Sequence, residues 1–381
     1  MFKAIKNKTN TKTQNLVKPL KQPKVSVLMP SLNVAEYIRQ CMDSVVNQTL
    51  KDIEIICIDA GSTDGTLEIL HEYEKQDQRI HVIVSAKRSY GYQMNLGLDA
   101  ANGEYIGIVE TDDWIEPDMF ESLWNAASEH GVDIVKSNYY WYYTKPEVIN
   151  KPFENLSKCP YEITFSPQDV LQPLATYPSI WSGIYRQTFI NNNKIRFNET
   201  PGASYQDTSF HFMVFTVAKS AYFLNKYFLH YRRDNEASSV NTGGKVYCVP
   251  DEMHYYEKFL ETHPEAKASH IKQYMALKYE KYRWNYARIA PQFQWDFLTL
   301  VRREFLSHRK EGLLEEKWFD TDAWKNVNEI IDNPVQYFKN TCKKYSTRPV
   351  GKDLPPAGEL KNYVIEEGYN ATKGISNCPC L

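Results

Sequence analysis

The sequence has no apolar run approaching the roughly 20 residues that a membrane-spanning helix needs, and its N-terminus carries no apolar leader core. No spanning segment is expected, and the chain reads as cytoplasmic. It also lacks charge of one dominant sign. Forty-five Lys and Arg against 47 Asp and Glu leave a formal charge of −2, so nucleic acid is not the expected partner. Seven cysteines are scattered without metal-ligand spacing, apart from Cys378 and Cys380 near the end, and read as reduced thiols. Two phosphate-binding signatures are missing. No G-x-G-x-x-G turn follows the first apolar run and no G-x-x-x-x-G-K-[ST] occurs, which excludes the common dinucleotide and P-loop folds. Internal repeats are absent too.

What is present is a soluble, globular balance: 42% hydrophobic, 24% charged and 14% aromatic residues, with 27 Tyr, in 381 residues. Residues 1–23 read as a basic flexible tail, since the first 24 positions hold seven Lys and no Asp or Glu. A solvated tail is the plain reading; a weak tether to anionic headgroups at the inner face of the membrane is the sharper one. From Lys24 onward, apolar β-branched runs alternate with amphipathic stretches. Strands are expected at Val25–Met29, Ile53–Ile58, Ile80–Val84, Tyr105–Val109 and Asp133–Lys136. Helices are expected at Ala35–Gln48, Thr66–Lys75, Gly91–Ala101 and Pro117–His130, the last with Pro at its opening. Alternation of this kind predicts an α/β fold with a Rossmann-like, mostly parallel sheet flanked by helices. A unit over 24–240 divides into a donor half (24–140) and an acceptor half (141–240). Residues 241–345 read as a C-terminal helical extension and 346–381 as a loosely structured tail. In the extension Tyr255, Tyr256, Phe259, Tyr274, Tyr279, Tyr282 and Trp284 are expected to pack as core, with a dimer contact or a membrane surface as alternatives.

Ligands in open α/β sheets bind beyond the carboxyl ends of the strands. Each predicted strand here ends in polar groups. Pro30-Ser31-Leu32-Asn33 follows the first, Asp59-Ala60-Gly61-Ser62-Thr63-Asp64-Gly65 the second, Lys87 through Asn95 the third, and Glu110-Thr111-Asp112-Asp113-Trp114 the fourth. All four ends should face one crevice.

At these spacings, Val25–Asn33, Asp59–Gly65 and Glu110–Trp114 resemble glycosyltransferase family 2, with its inverting GT-A fold. The resemblance covers 24–140 and, more weakly, 175–240. It implies a nucleotide-sugar donor with UDP as the expected nucleotide, a glycan or glycolipid acceptor, and a divalent metal, Mn or Mg. It implies donor binding by Pro30, Ser31, Asn33, Glu36, Asp59, Gly61, Glu110, Thr111 and Asp112. Lys87, Gln93 and Asn95 are further donor-site candidates from their place after the third strand. Asp112 is the expected metal ligand, because hard cations on a diphosphate take one or two carboxylates plus phosphate and water oxygens. Two positions depart from the common pattern: Ala60 stands where a second Asp is frequent, and Glu110 where Asp usually opens the motif.

The resemblance also places the catalytic base in an acidic pair before a helix. Here the pair is Gln206-Asp207, so Asp207 is the expected general base, with a helix at Thr208–Lys219. From the residues alone, Asp207 could equally be an N-cap. Arg232, in His230-Tyr231-Arg232-Arg233-Asp234 with Ser238-Ser239, is expected on the diphosphate. Trp181, Asp113 and Gln206 are the candidates for the acceptor side. The expected activity is sugar transfer onto an acceptor hydroxyl in surface polysaccharide, glycolipid or glycoprotein glycan synthesis. The alternative is a catalytically impaired nucleotide-sugar-binding protein, marked by Ala60, Glu110 and Gln206. Homo-oligomerisation stays open.

Overall fold

All seven residues of Val25–Ser31 (β1) and of Ile53–Asp59 (β2) are buried, as unbroken apolar runs in a covered parallel sheet should be. The computed structural model describes residues 22–235 and 245–345, with side chains to 342. The basic tail except for residues 22 and 23, Ser238-Ser239, the border at 240/241, Cys378, Cys380 and the whole of 346–381 lie outside the described residues. β1 pairs parallel with β2 on one side and with Tyr105–Ile108 (β4) on the other. Ile80–Val84 (β3) extends the sheet beyond β2. Between these strands run Ile38–Val46 (α1), Thr66–Gln76 (α2) and Tyr90–Ala100 (α3). α1 starts three residues later than its apolar spacing suggested, because the Val34 carbonyl draws the Tyr37 and Ile38 amides into a turn.

The second half of the sheet is mixed. Its strands are Trp114–Ile115 (β5), Ile134–Tyr143 (β6), Ile149–Phe153 (β7), Thr164–Phe165 (β8), Gly183–Arg186 (β9) and Ala221–Arg232 (β10). The sheet runs β3-β2-β1-β4-β9-β6-β10-β5, with β7 beside β6 and β8 beside β10. β9 is antiparallel to both β4 and β6, so it joins the two halves. Met119–His130 (α4) begins two residues after Pro117, not at it. The expected strand at Asp133–Lys136 continues to Tyr143, because its aromatic run Tyr139–Tyr143 pairs with β7 and β10.

Gln187–Asn192 (α5) leads to Gln206–Val217 (α6), in which every residue except Asp207 is buried. An all-round apolar helix needs cover on all sides. The sheet supplies one side and the C-terminal extension the other. The extension comprises Cys248–Glu261 (α7), Pro264–Arg288 (α8), Pro291–Lys310 (α9), Thr321–Asp332 (α10) and Pro334–Tyr345 (α11). Tyr256 bonds Thr216 of α6 at 2.7 Å and packs on Phe212 at 5.4 Å between ring centroids. Tyr256, Phe259, Tyr274, Tyr279 and Tyr282 are buried as expected, whereas Trp284 is 45% exposed. No helix among the described residues is long and apolar enough to cross a membrane.

The extension also buries charge. Lys278, 1% exposed, lies 2.6 Å from Glu257 and 2.8 Å from Glu304. Glu304 further takes the Tyr282 hydroxyl at 2.8 Å and His254 at 2.9 Å. Removing one member of such a cluster strands the others without solvent. Lys278→Met should therefore lower unfolding free energy by about 3–5 kcal/mol, read by urea denaturation. A loss below about 1 kcal/mol would mean that the carboxylates find other partners.

Candidate active site

The sheet carries its polar strand ends to one edge, and hydrogen bonds fix them there. Asp59, fully buried at the end of β2, accepts from the amides of Gly61 (2.9 Å) and Ser62 (2.8 Å). It also takes the hydroxyls of Ser62 (2.5 Å) and Ser31 (3.1 Å). Four donors saturate the carboxylate, so Asp59 shapes the turn that presents Gly61, whose φ is 80°. Gln93 donates to the carbonyls of Ser31 (2.9 Å) and Ile58 (2.6 Å), tying the ends of β1 and β2 together beneath the crevice. Asn33, in the left-handed region at φ 54°, accepts the Thr63 amide at 2.9 Å, locking the first loop to the second. Glu36 is exposed at the start of the α1 turn.

The acidic end of β4 forms the opposite wall. Thr111 donates to the Pro30 carbonyl at 2.7 Å. Glu110 accepts the Tyr90 hydroxyl at 2.6 Å. Burial pushes Glu110 up to about 8, and Asp112 and Asp207 repel its charge further. Asp112, half-buried, accepts from Asn235 at 2.8 Å, and burial raises it as well. Asp113 is turned inward: it is 1% exposed and accepts the Arg232 amide at 2.8 Å. Burial first, then the charge of Asp112, holds it well above the usual carboxylate range.

These residues can be tested against a divalent cation. Among the described residues no group of three or more His, Cys, Asp or Glu gathers into a cage. Glu110, Asp112 and Asp113 each accept a hydrogen bond, from Tyr90, Asn235 and the Arg232 backbone; Asp113 is fully buried, which leaves the half-buried Glu110 and Asp112 as the carboxylates at the crevice wall. One or two carboxylates suit an ion that completes its shell with diphosphate and water oxygens. The donor set fits.

Asp207 reaches the same crevice from the other half. It is not the cap before α6 but sits in its first turn, with Tyr205 at the N-cap in the left-handed region (φ 68°). Burial raises Asp207 to about 6, offset partly by the cation of Lys281. Its charge is felt by Glu110 and Tyr90, which places Asp207 and the acidic motif within one electrostatic unit. The loop before α6 is clasped to the loop after β3. Gly202 donates to the Arg88 carbonyl (2.9 Å), the Tyr90 amide donates to Gly202 (3.0 Å), and Ser89 donates to the Thr200 carbonyl (2.7 Å). A methyl at Gly91 would stand 1.9 Å from the Asn198 carbonyl oxygen, so the approach requires glycine.

Several candidates take structural places instead. Gln206 is 1% exposed; its amide bonds Thr200, Gly202 and the Ser204 N–H, which rigidifies the loop before Asp207 and turns the side chain into the protein. Trp181, 5% exposed, packs edge-on against Tyr139 at 4.6 Å as a core ring. Arg232 is buried, bonded to the Asp112 carbonyl (2.9 Å) and Gln40 (2.8 Å), with its guanidinium over Tyr37 at 4.6 Å. It braces the acidic wall from behind. Lys87 pairs with Glu199 at 3.1 Å over the Tyr92 ring. Asn95 bonds Phe197 and Glu199, beside a separate hollow of about 450 Å³ lined by Asp99, Arg196 and Tyr255. Lys281 was missed. It lies 74 residues beyond Asp207 in a helix where aromatic and charged positions are interleaved, and no spacing in the sequence joins the two.

Residues 26–211 match the family model for glycosyl transferase family 2. Over 241 residues the chain is 30% identical to glycosyltransferase GlyA of Streptococcus pneumoniae, covering 60% of this chain and 34% of that one. It is 38% identical over 119 residues to glycosyltransferase GlyG of the same organism (31% and 40% covered). To the cholesterol galactosyltransferase of Borreliella burgdorferi it is 32% identical over 218 residues (54% and 59% covered). The chain thus spans about a third to three-fifths of the length of these curated relatives. Among solved structures, S. aureus TarS 1–349 in complex with UDP-GlcNAc aligns with a TM-score of 0.49 and 17% identity, over 80% of this chain and 90% of that one. The segment 26–211 belongs to glycosyl transferase family 2.

The saturated Asp59 gives a prediction. Asp59→Asn keeps one acceptor oxygen and turns an NH2 toward two of the four donors, and should cost roughly 2–3 kcal/mol while loosening the 59–65 turn. Thermal melting and amide exchange at Gly61 and Ser62 check this; unchanged exchange would mean that the turn does not depend on the carboxylate.

Proposed function

We propose that this chain transfers a sugar from a UDP-linked nucleotide sugar to a hydroxyl of a glycan, glycolipid or glycoprotein acceptor at the cytoplasmic side, inverting the anomeric centre. One observation carries the reading: Asp207, at the start of α6, lies within electrostatic reach of the acidic end of β4 across the edge where β1, β2 and β4 end. Membership of 26–211 in a glycosyl transferase family supports it.

In the proposed step the acceptor O–H proton passes to Asp207. The freed oxygen pair forms the bond to the anomeric carbon, and the bond from that carbon to the diphosphate oxygen breaks with its electrons leaving on the nucleoside diphosphate. Attack from the face opposite the leaving group inverts the centre in one displacement. A base raised to about 6 accepts a proton more strongly than an ordinary aspartate and stays ionised at neutral pH. Asp112 would hold Mn or Mg against the diphosphate, and that ion, when bound, supplies charge stabilisation to the leaving group. The turns at Pro30–Asn33 and Asp59–Gly65 would hold the nucleoside, their shape fixed by the bonds among Ser31, Asp59 and Gln93.

A panel of UDP-sugars assayed for transfer and hydrolysis with Mn tests the reaction. Tight donor binding without turnover of any donor would favour a binding protein instead. Asp207→Asn should reduce turnover by roughly 10²–10⁴-fold, with the donor Kd from titration calorimetry changed less than about twofold. Asp112→Ala should abolish the difference in donor affinity with and without Mn; a difference that survives removes Asp112 as the ligand. For the wild type, the carboxylate form grows as pH rises, so kcat should climb tenfold per pH unit below about 6 and level above it. A profile flat from pH 5 to 8 removes Asp207 from the proton transfer.

A further inference from the structure

The family match ends at residue 211, yet the surroundings of Asp207 do not. α8 lies against α6 and turns one stripe toward its N-terminal end: Lys281, Trp284, Asn285 and Arg288, at the 3- and 4-residue spacing of a single helix face. Trp284 meets Tyr205, the N-cap residue of α6, edge to face at 5.4 Å. The Arg288 guanidinium sits 4.8 Å from the Tyr205 ring and 5.1 Å from Trp284. Arg288 is anchored by the Lys245 and Asn285 oxygens, and Lys245 itself donates to the Ala203 carbonyl. The stripe is therefore built onto the 203–207 loop, not merely near it.

Two members of this stripe keep surface open to solvent. Trp284 keeps 45% of its surface exposed, where the neighbouring helix aromatics Tyr279 and Tyr282 are buried. Lys281 is half-buried and makes no hydrogen bond or salt bridge among the described residues. A partly desolvated ammonium is held in its charged form by a nearby opposite charge. The nearby charge is Asp207: it raises the affinity of Lys281 for its proton, and Lys281 in turn lowers that of Asp207. Glu110, Tyr90, Tyr177, Tyr205 and Glu252 also feel Asp207, and none of them is a cation.

We propose that α8 supplies the acceptor subsite, with the Trp284 ring as the platform for a terminal sugar residue and Lys281 donating to that sugar's oxygens while positioning Asp207. The proposal rests on the transfer reading above. A half-exposed indole beside hydrogen-bond donors suits the C–H face and hydroxyl rim of a pyranose. It does not suit an apolar acceptor, which would need an enclosed groove. Donor recognition then lies in the first half of the chain and acceptor recognition in the extension.

The binding half of the test needs no turnover. Saturation-transfer NMR of the full chain with a panel of free disaccharides, without donor, should show binding in the wild type. Trp284→Ala should weaken it about tenfold, and Trp284→Phe should keep most of it. No disaccharide binding to the wild type, or equal binding by Trp284→Ala, overturns the subsite. The positioning half reads the pH profile of UDP-sugar hydrolysis. Lys281→Met should move the rising limb to higher pH by about one unit, and Lys281→Arg should restore it. A limb that stays in place overturns the role of Lys281. Absence of turnover in the wild type would instead strike the transfer reading, and the disaccharide titration still decides the subsite.

Discussion

The site depends on one close contact between two loops. Asp207 belongs to α6 and the acidic motif to β4, and nothing in their sequence separation of 95 residues brings them together. The clasp of Arg88–Tyr90 on Thr200–Gly202 does so, with main chain on main chain at Gly91 and Asn198. Three hydrogen bonds among five residues leave such a junction little freedom. Gln206 completes the clasp from inside by holding the same loop through its side-chain amide. The residue that departs from the family's acidic pair is therefore the one that makes the loop rigid.

The first half of the chain was legible because its signals are local. Buried parallel strands read as unbroken β-branched runs, and their polar ends point to one edge by topology alone. The second half was less so. β9 enters the sheet antiparallel, and its four residues Gly183–Arg186 carry no run long enough to announce a strand. Arg232 and Trp181 illustrate the same limit at the level of single side chains. A cation and an aromatic near a predicted site look alike whether they face solvent or the core, and only packing separates them: Arg232 lies under the acidic wall and Trp181 under β6. Lys281 is the converse, a residue whose helix offered no hint of the crevice it borders.

The electrostatics of the crevice work against folding and for chemistry. Glu110, Asp112 and Asp207 all have proton affinities raised by burial, so each is less comfortable ionised in the folded chain than in the unfolded one. By linkage, such groups favour the fold at low pH, and that contribution is lost as pH rises through their folded values. The fold carries this cost because the surrounding sheet and helices are extensively buried, with Tyr256 of the extension bonded to Thr216 of α6.

α6 gives this arrangement a consequence for how such chains diversify. The helix is shared: its N-terminal turn carries Asp207 to the crevice, one flank packs on the sheet, and the other on α7 and α8. The family boundary at residue 211 falls in the middle of it. A crossover between related genes at that point would split a helix and leave an apolar flank facing a foreign partner. Exchange of the C-terminal extension would have to carry α6 and its cover as one inherited block, with the seam moved upstream into the loops before Thr200.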